Sequence, residues 1–171
     1  MPDIYKFNNT ADYLPILNGV IITDIIVILF LIFGLIQSRV LRSWYRELTL
    51  SAVIADVLIS FIGIIIARFI YPFIFNTYSL WKFILLAVCI QVIHDILFYL
   101  FCTSIKRGKS RILDIFKDYG KENGSGAIIA DSLMIISSIL IASFLKGQSL
   151  NTNIITLIVA VYLIPYLIYS L

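Results

Sequence analysis

The sequence predicts an all-α fold: a polytopic transmembrane helical bundle of five spans, four core segments and a shorter C-terminal one, with a short amphipathic helix on the membrane surface. Three observations carry this reading. The 171 residues are 61% hydrophobic and 13% charged, with a mean hydropathy of +1.01, whereas soluble domains carry about 25% charged residues. Several apolar runs reach the ~20 residues that cross a ~30 Å hydrocarbon core. The basic residues gather in alternate connectors, as membrane topology demands. One compact unit is expected over these residues, with no second, soluble catalytic domain among them.

The first span is predicted over residues 14–36, with Asn18, Gly19 and Asp24 in its first half. Residues 1–13 are polar and the apolar run that follows is too long for a signal-peptide core, so no cleavable leader is expected. The connector Gln37–Glu47 holds Arg39, Arg42 and Arg46, with Trp44 and Tyr45 expected as interfacial anchors. The second span, 48–71, contains Asp56 and Arg68 and is expected to break at Pro72. Pro72 to Trp81 reads as an aromatic turn, with Phe73, Phe75, Tyr78 and Trp81 at headgroup level. The third span, 82–103, carries Gln91, His94 and Asp95.

The long connector after it opens with Lys106, Arg107, Lys109 and Arg111. Within it, Ile112, Leu113, Ile115, Phe116 and Tyr119 recur at helical spacing opposite Asp114, Lys117, Asp118 and Lys121. This predicts an amphipathic helix over 110–121, capped by Ser110. Asn123-Gly-Ser-Gly126 is expected to be a flexible break. The fourth span covers 127–145, with Asp131 near its start, and Lys146 to Asn153 reads as a polar turn. The fifth span, 154–171, is at the lower length limit and contains Pro165. No internal repeat is visible.

Nine Lys and Arg fall in the first-to-second and third-to-fourth connectors, against Lys6, Arg68, Lys82 and Lys146 on the other side. This predicts that the two basic loops are cytoplasmic and the N-terminus outside or lumenal. Asn8-Asn-Thr10 is then an outer-side glycosylation sequon, a pattern common by chance. The basic cluster Lys106, Arg107, Lys109 and Arg111 is a candidate contact for anionic lipid or an acidic partner, although Asp114, Asp118 and Glu122 dilute it. It does not point to nucleic acid.

The acids inside the spans need an account, because a mid-membrane aspartate costs roughly 2.5–3.5 kcal/mol on insertion scales. Asp24, Asp56, Asp95 and Asp131, with Gln91 and His94, are expected to form one inward-facing polar layer. Small residues share the stripes of two of them: Ala52, Ser60, Gly63 and Ala67 with Asp56, and Ser138 and Ala142 with Asp131. Two readings follow. The acids hold the helices in register, or they carry protons or cations, with His94 as a titrating neighbour. The lone histidine cannot make a typical zinc or haem ligand set. Cys89 and Cys102 stand about 20 Å apart on one predicted helix and read as buried thiols. A GxSxG elbow, a Walker loop and a CxxC pair are absent. Neither an enzyme, a cofactor nor a metal is expected.

The run IQVIHDILFYLF (Ile90–Phe101), then RGKS (Arg107–Ser110), then DIFKDYGKENGSGAIIADSLMIISSILIAS (Asp114–Ser143) resembles a family of small uncharacterised polytopic membrane proteins. Large DNA viruses of algae and protists encode that family (chlorovirus-like or related giant viruses). The resemblance rests on wording around His94, Asp95 and Asp131 and brings no catalytic residue with it. It implies residence in a virion's internal membrane and in host internal membranes. There the chain would be a structural component touching minor capsid proteins, other viral membrane proteins or further copies of itself.

Overall fold

The computed structural model describes residues 2–171. Among these are seven α-helices and no strand: α1 (Tyr13–Ile32), α2 (Arg39–Leu48), α3 (Leu50–Ile74), α4 (Leu80–Ser104), α5 (Arg111–Asn123), α6 (Ser125–Lys146) and α7 (Leu150–Ile168). Five of them, α1, α3, α4, α6 and α7, are long and apolar enough to cross a membrane. The chain is an integral membrane protein of the all-α class. The side chains of α4 illustrate the lipid-facing surface: Leu85, Ile93, Leu97 and Leu100 are all exposed.

The first-to-second connector, read as a loop, is the helix α2. Its formation follows from its N-terminus. Ser38 caps it by accepting from the Leu41 amide at 3.0 Å, and the Glu122 carboxylate of α5 accepts from the Arg39 and Val40 amides at 2.9 and 3.1 Å. Three of the orphan donors at that end are thus satisfied, and a negative charge sits on the positive end of the helix dipole. The predicted amphipathic helix is α5, and Ser110 caps it as expected, accepting from Leu113.

Several boundaries move. α1 stops at Ile32 rather than residue 36, because the chain turns through Gly34 at φ +71° and the Arg42 guanidinium takes the Leu31 carbonyl at 2.7 Å. α3 runs through Pro72 to Ile74; near a helix end, proline forfeits one hydrogen bond without breaking the rod. The aromatic turn beyond it is only half interfacial. Phe73 and Trp81 are exposed, while Tyr78 stacks on Tyr5 and Phe75 lies against Tyr71. The flexible break at 123–126 is a one-residue corner at Gly124, with Ser125 and Gly126 already in α6. α7 begins at Leu150, so Asn153 belongs to a helix and is buried. Cys102 is buried, but Cys89 is exposed.

α1 is the central rod. Its most apolar stretch is 61% buried, against 22–33% for the other four spans, and it packs on α3, α6 and α7. The closest approach is to α6 at Gly19, where a Cβ would stand 2.9 Å from the Ala142 amide nitrogen and closer still to the Ser138 carbonyl. Close backbone approach of this kind is how helices gain packing energy in lipid, where no hydrophobic drive joins them.

The absence of an internal repeat in the sequence reading is overturned by the architecture. α1–α2–α3 and α4–α5–α6 share one plan: a span, a six-residue link, a serine-capped surface helix, a one-residue corner and a second span. The two surface helices open on Ser38-Arg-Val-Leu and Ser110-Arg-Ile-Leu. The corners adopt the same backbone, Thr49 at φ 50°, ψ −125° and Gly124 at φ 53°, ψ −127°. Asp56 and Asp131 each follow their corner by seven positions. Exchanging the units preserves the pairing of the spans: α1 on α6 corresponds to α4 on α3 and α1 on α3 to α4 on α6, while α2 meets α5.

The shared corner has a consequence. A β-branched residue at positive φ is strained by about 1–3 kcal/mol, and glycine is not. Thr49→Gly should therefore stabilise the fold by on the order of 1 kcal/mol, read as a higher thermal unfolding midpoint in detergent. Gly19→Val should cost about 1–3 kcal/mol of stability through overpacking of α1 on α6 and lower the midpoint in the same melting experiment.

Candidate functional site

The surface helix α2 supplies what two of the intramembrane acids need. Tyr45 and Trp44 are not headgroup anchors; they are 1% and 4% exposed and turn inward. The Tyr45 hydroxyl donates to Asp24 Oδ1 at 2.7 Å, and the Trp44 indole N–H donates to Asp56 Oδ2 at 2.8 Å. Adjacent residues of one short helix thus hold an acid from α1 and an acid from α3. Burial, and after it the negative charges of Asp56 and Asp24, push the Tyr45 phenol well above its ordinary range. It therefore remains a donor throughout physiological pH.

The other predicted site residues form a second group. The Gln91 amide donates to Asp95 Oδ1 at 2.7 Å, and His94 Nδ1 lies 3.3 Å from the same oxygen. The His94 ring stacks on Phe98, with 5.6 Å between centroids. Asp131, on α6, is half-buried. The Tyr119 phenol of α5 is raised first by burial and then by Asp131, Asp56 and Asp95, so acids from α6, α3 and α4 all act on one hydroxyl. Direct contacts among the predicted site residues thus join Asp24–Tyr45 and Asp56–Trp44 through α2, and Gln91–Asp95–His94 on α4. Among the described residues no three His, Cys, Asp or Glu side chains converge on a point that could hold a metal ion. One carboxylate oxygen of Asp24 and one of Asp95 are buried without a partner.

Sequence reasoning missed a third cluster, at the opposite end of the bundle. Arg68 of α3 and Asp12, just before α1, are both 0% exposed and pair at 3.1 Å. Lys146, at the end of α6, also bonds Asp12. Arg68 donates further to the Lys6 and Asn9 carbonyls and lies 5.0 Å from the Tyr13 ring centroid. The N-terminal segment is thereby tied across the bundle end, with Ile4 fully buried and Ser143 donating to the Pro2 carbonyl at 2.8 Å. A signal for this existed: a guanidinium inside an apolar run requires an anion at its own depth. Between the ends, Asn18 of α1 donates to the Asn153 backbone carbonyl of α7 at 2.8 Å.

The basic cluster divides. Arg107 pairs with Asp118 and Arg111 with Glu47, the latter at 2.6 Å, while Lys106 and Lys109 are exposed and pair with no acid among the described residues. Asp114 is held below the usual carboxylate range by the Gly108 amide, Asp118 by Arg107, and Glu47 by the Ser43 hydroxyl and then Arg111. Folded values below unfolded ones mean that these ties are at full strength above the ordinary carboxylate range. They weaken as pH falls through the lowered values.

No family model matches the chain, and neither a curated protein nor a solved structure does. The geometry therefore stands alone. Tyr45→Phe should cost about 1–3 kcal/mol, because it leaves Asp24 buried with no donor. Asp12→Leu should cost more, about 3–5 kcal/mol, because it strands the Arg68 charge. Thermal unfolding of the two purified variants in one detergent gives the order.

Proposed function

We propose that this integral membrane protein is a non-enzymatic structural component of its membrane, and that its intramembrane acids organise the bundle. The observation that carries this reading is that Asp24 and Asp56 are each engaged by a donor from the chain's own α2. Acids engaged in this way fix helix positions. The tight α1–α6 contact at Gly19, which leaves no width for water between those helices, supports the same reading. The finer assignment, to the internal membrane of a large DNA virus with minor capsid or other membrane proteins as neighbours, rests on the resemblance around His94, Asp95 and Asp131.

A second reading, conduction of protons or cations, draws on Asp56, Asp95 and Asp131 acting on one phenol and on the unpartnered carboxylate oxygens of Asp24 and Asp95. The paired units add to it, since transporters are commonly built from repeats with sites at the repeat interface. Liposome flux decides between them. On the structural reading, the wild-type protein shows no pH-dependent proton flux, and Asp56→Asn changes the melting temperature or oligomeric state. A wild-type proton current abolished by Asp95→Asn in a folded protein would overturn it. Recovery of the chain with purified virions tests the viral assignment.

A further inference from the structure

The end of the bundle built by α2, the α4–α5 link and α5 carries an imbalance that the pairing makes specific. It holds nine cations, Arg39, Arg42, Arg46, Lys106, Arg107, Lys109, Arg111, Lys117 and Lys121, and four acids, Glu47, Asp114, Asp118 and Glu122. Every one of the four acids is engaged within the chain: Glu47 by Arg111, Asp118 by Arg107, Asp114 by Lys117 and the Gly108 amide, and Glu122 by the α2 amides. Arg42 is turned inward onto the Leu31 and Leu171 carbonyls. Five cations remain without an acid among the described residues, Arg39, Arg46, Lys106, Lys109 and Lys121, and all five are exposed.

Their placement is not random. Arg39 and Arg46 are seven positions apart on α2, two turns along one stripe. Lys109 adjoins Gly108, which lines the same groove between α2 and α5 as Arg39, a groove of about 520 Å³. Lys121 precedes Glu122, whose carboxylate caps α2. Cations from three separate segments thus share one end. Exposed apolar side chains accompany them, Phe33 and Leu35 on the link from α1, Ile112 on α5, Leu50 at the start of α3 and Ile129 of α6. Hydrocarbon beside unpaired cations is what the headgroup boundary of a bilayer provides.

We propose that this end is a binding surface for anionic lipid headgroups of the protein's own bilayer. Arg39, Arg46, Lys106, Lys109 and Lys121 are the contacts, and the paired Arg107 and Arg111 are not. This set differs from the one expected from sequence by Arg107 and Arg111 out and Arg39, Arg46 and Lys121 in, and it is independent of whether the acids are structural or conducting. A lipid phosphate supplies the charge, and its acyl chains cover the neighbouring apolar residues. A soluble acidic partner would supply only the first.

Spin-labelled lipid in reconstituted bilayers tests this. The wild-type protein should select phosphatidylglycerol over phosphatidylcholine several-fold in its motionally restricted shell, and about 1 M salt should reduce that selectivity. The variant R39Q/R46Q/K106Q/K109Q/K121Q should lose it. Because five lost cations could disturb insertion, K106Q/K109Q alone is the second variant, and it should lower selectivity partway with helical content unchanged. Removal of a pair, R107A/D118A, should leave selectivity at the wild-type level. Equal affinity of the wild type for both lipids overturns the proposal, as does undiminished selectivity in K106Q/K109Q. So does binding of a soluble acidic peptide with no lipid preference.

Discussion

A carboxylic acid placed among hydrocarbon must find a donor or be expelled, and the Tyr45 hydroxyl donating to Asp24 is where this chain meets that demand. The bond does more than quench one polar group. Asp24 lies on the central helix, so whatever satisfies it becomes fixed to the centre of the bundle. Tyr45 brings α2 with it, and α2 brings Trp44 to Asp56 on α3. The Trp44 ring also meets Phe116 of α5, at 4.7 Å between centroids, and Phe116 in turn meets Phe98 of α4 edge to face. One phenolic hydrogen bond thus begins a chain of contacts through five helices. A helix that would otherwise float at the interface becomes the keystone of that end.

The opposite end answers the same demand with charge. Arg68, Asp12 and Lys146 come from α3, the residues before α1 and the end of α6. Hydrogen bonds to neutral donors and hydrogen-bonded ion pairs are the two economical ways to bury ionisable groups, and this bundle uses one at each end. The middle is left to apolar packing, the Gly19 contact and the Asn18–Asn153 bond. α1 crosses all three zones, and it is the most buried span.

The class of fold was legible because hydropathy and span length are properties of single segments. The five spans and the α5 helix with its Ser110 cap are local facts, and they were readable as such. What escaped was anything settled by tertiary pairing. Trp44 and Tyr45 carry the composition of interfacial anchors; only the position of α2 over Asp24 and Asp56 turns them inward. α2 carries the same local serine cap as α5; what the sequence hides is that Glu122, more than eighty positions away, satisfies its first amides. Arg107 and Arg111 look as free as Lys106 and Lys109 until Asp118 and Glu47 are seen beside them. Among the acids, the positions could be read but not their donors, because Tyr45 and Trp44 reach Asp24 and Asp56 only through the placement of α2.

The duplicated plan bears on how the protein is made. Each three-helix unit carries its own surface helix and corner, so each can enter the bilayer as a hairpin with its link already folded. Yet the unit boundaries are not the contact boundaries. α1 finds its tightest neighbours, α6 and α7, in the later part of the chain, and the Asn18–Asn153 bond closes a loop of 135 positions. Until that loop closes, Asn18 and the bare backbone at Gly19 face lipid or the insertion machinery. Biogenesis therefore has an obligatory waiting period, in which an early helix with exposed polar groups must be sheltered until its late partners arrive.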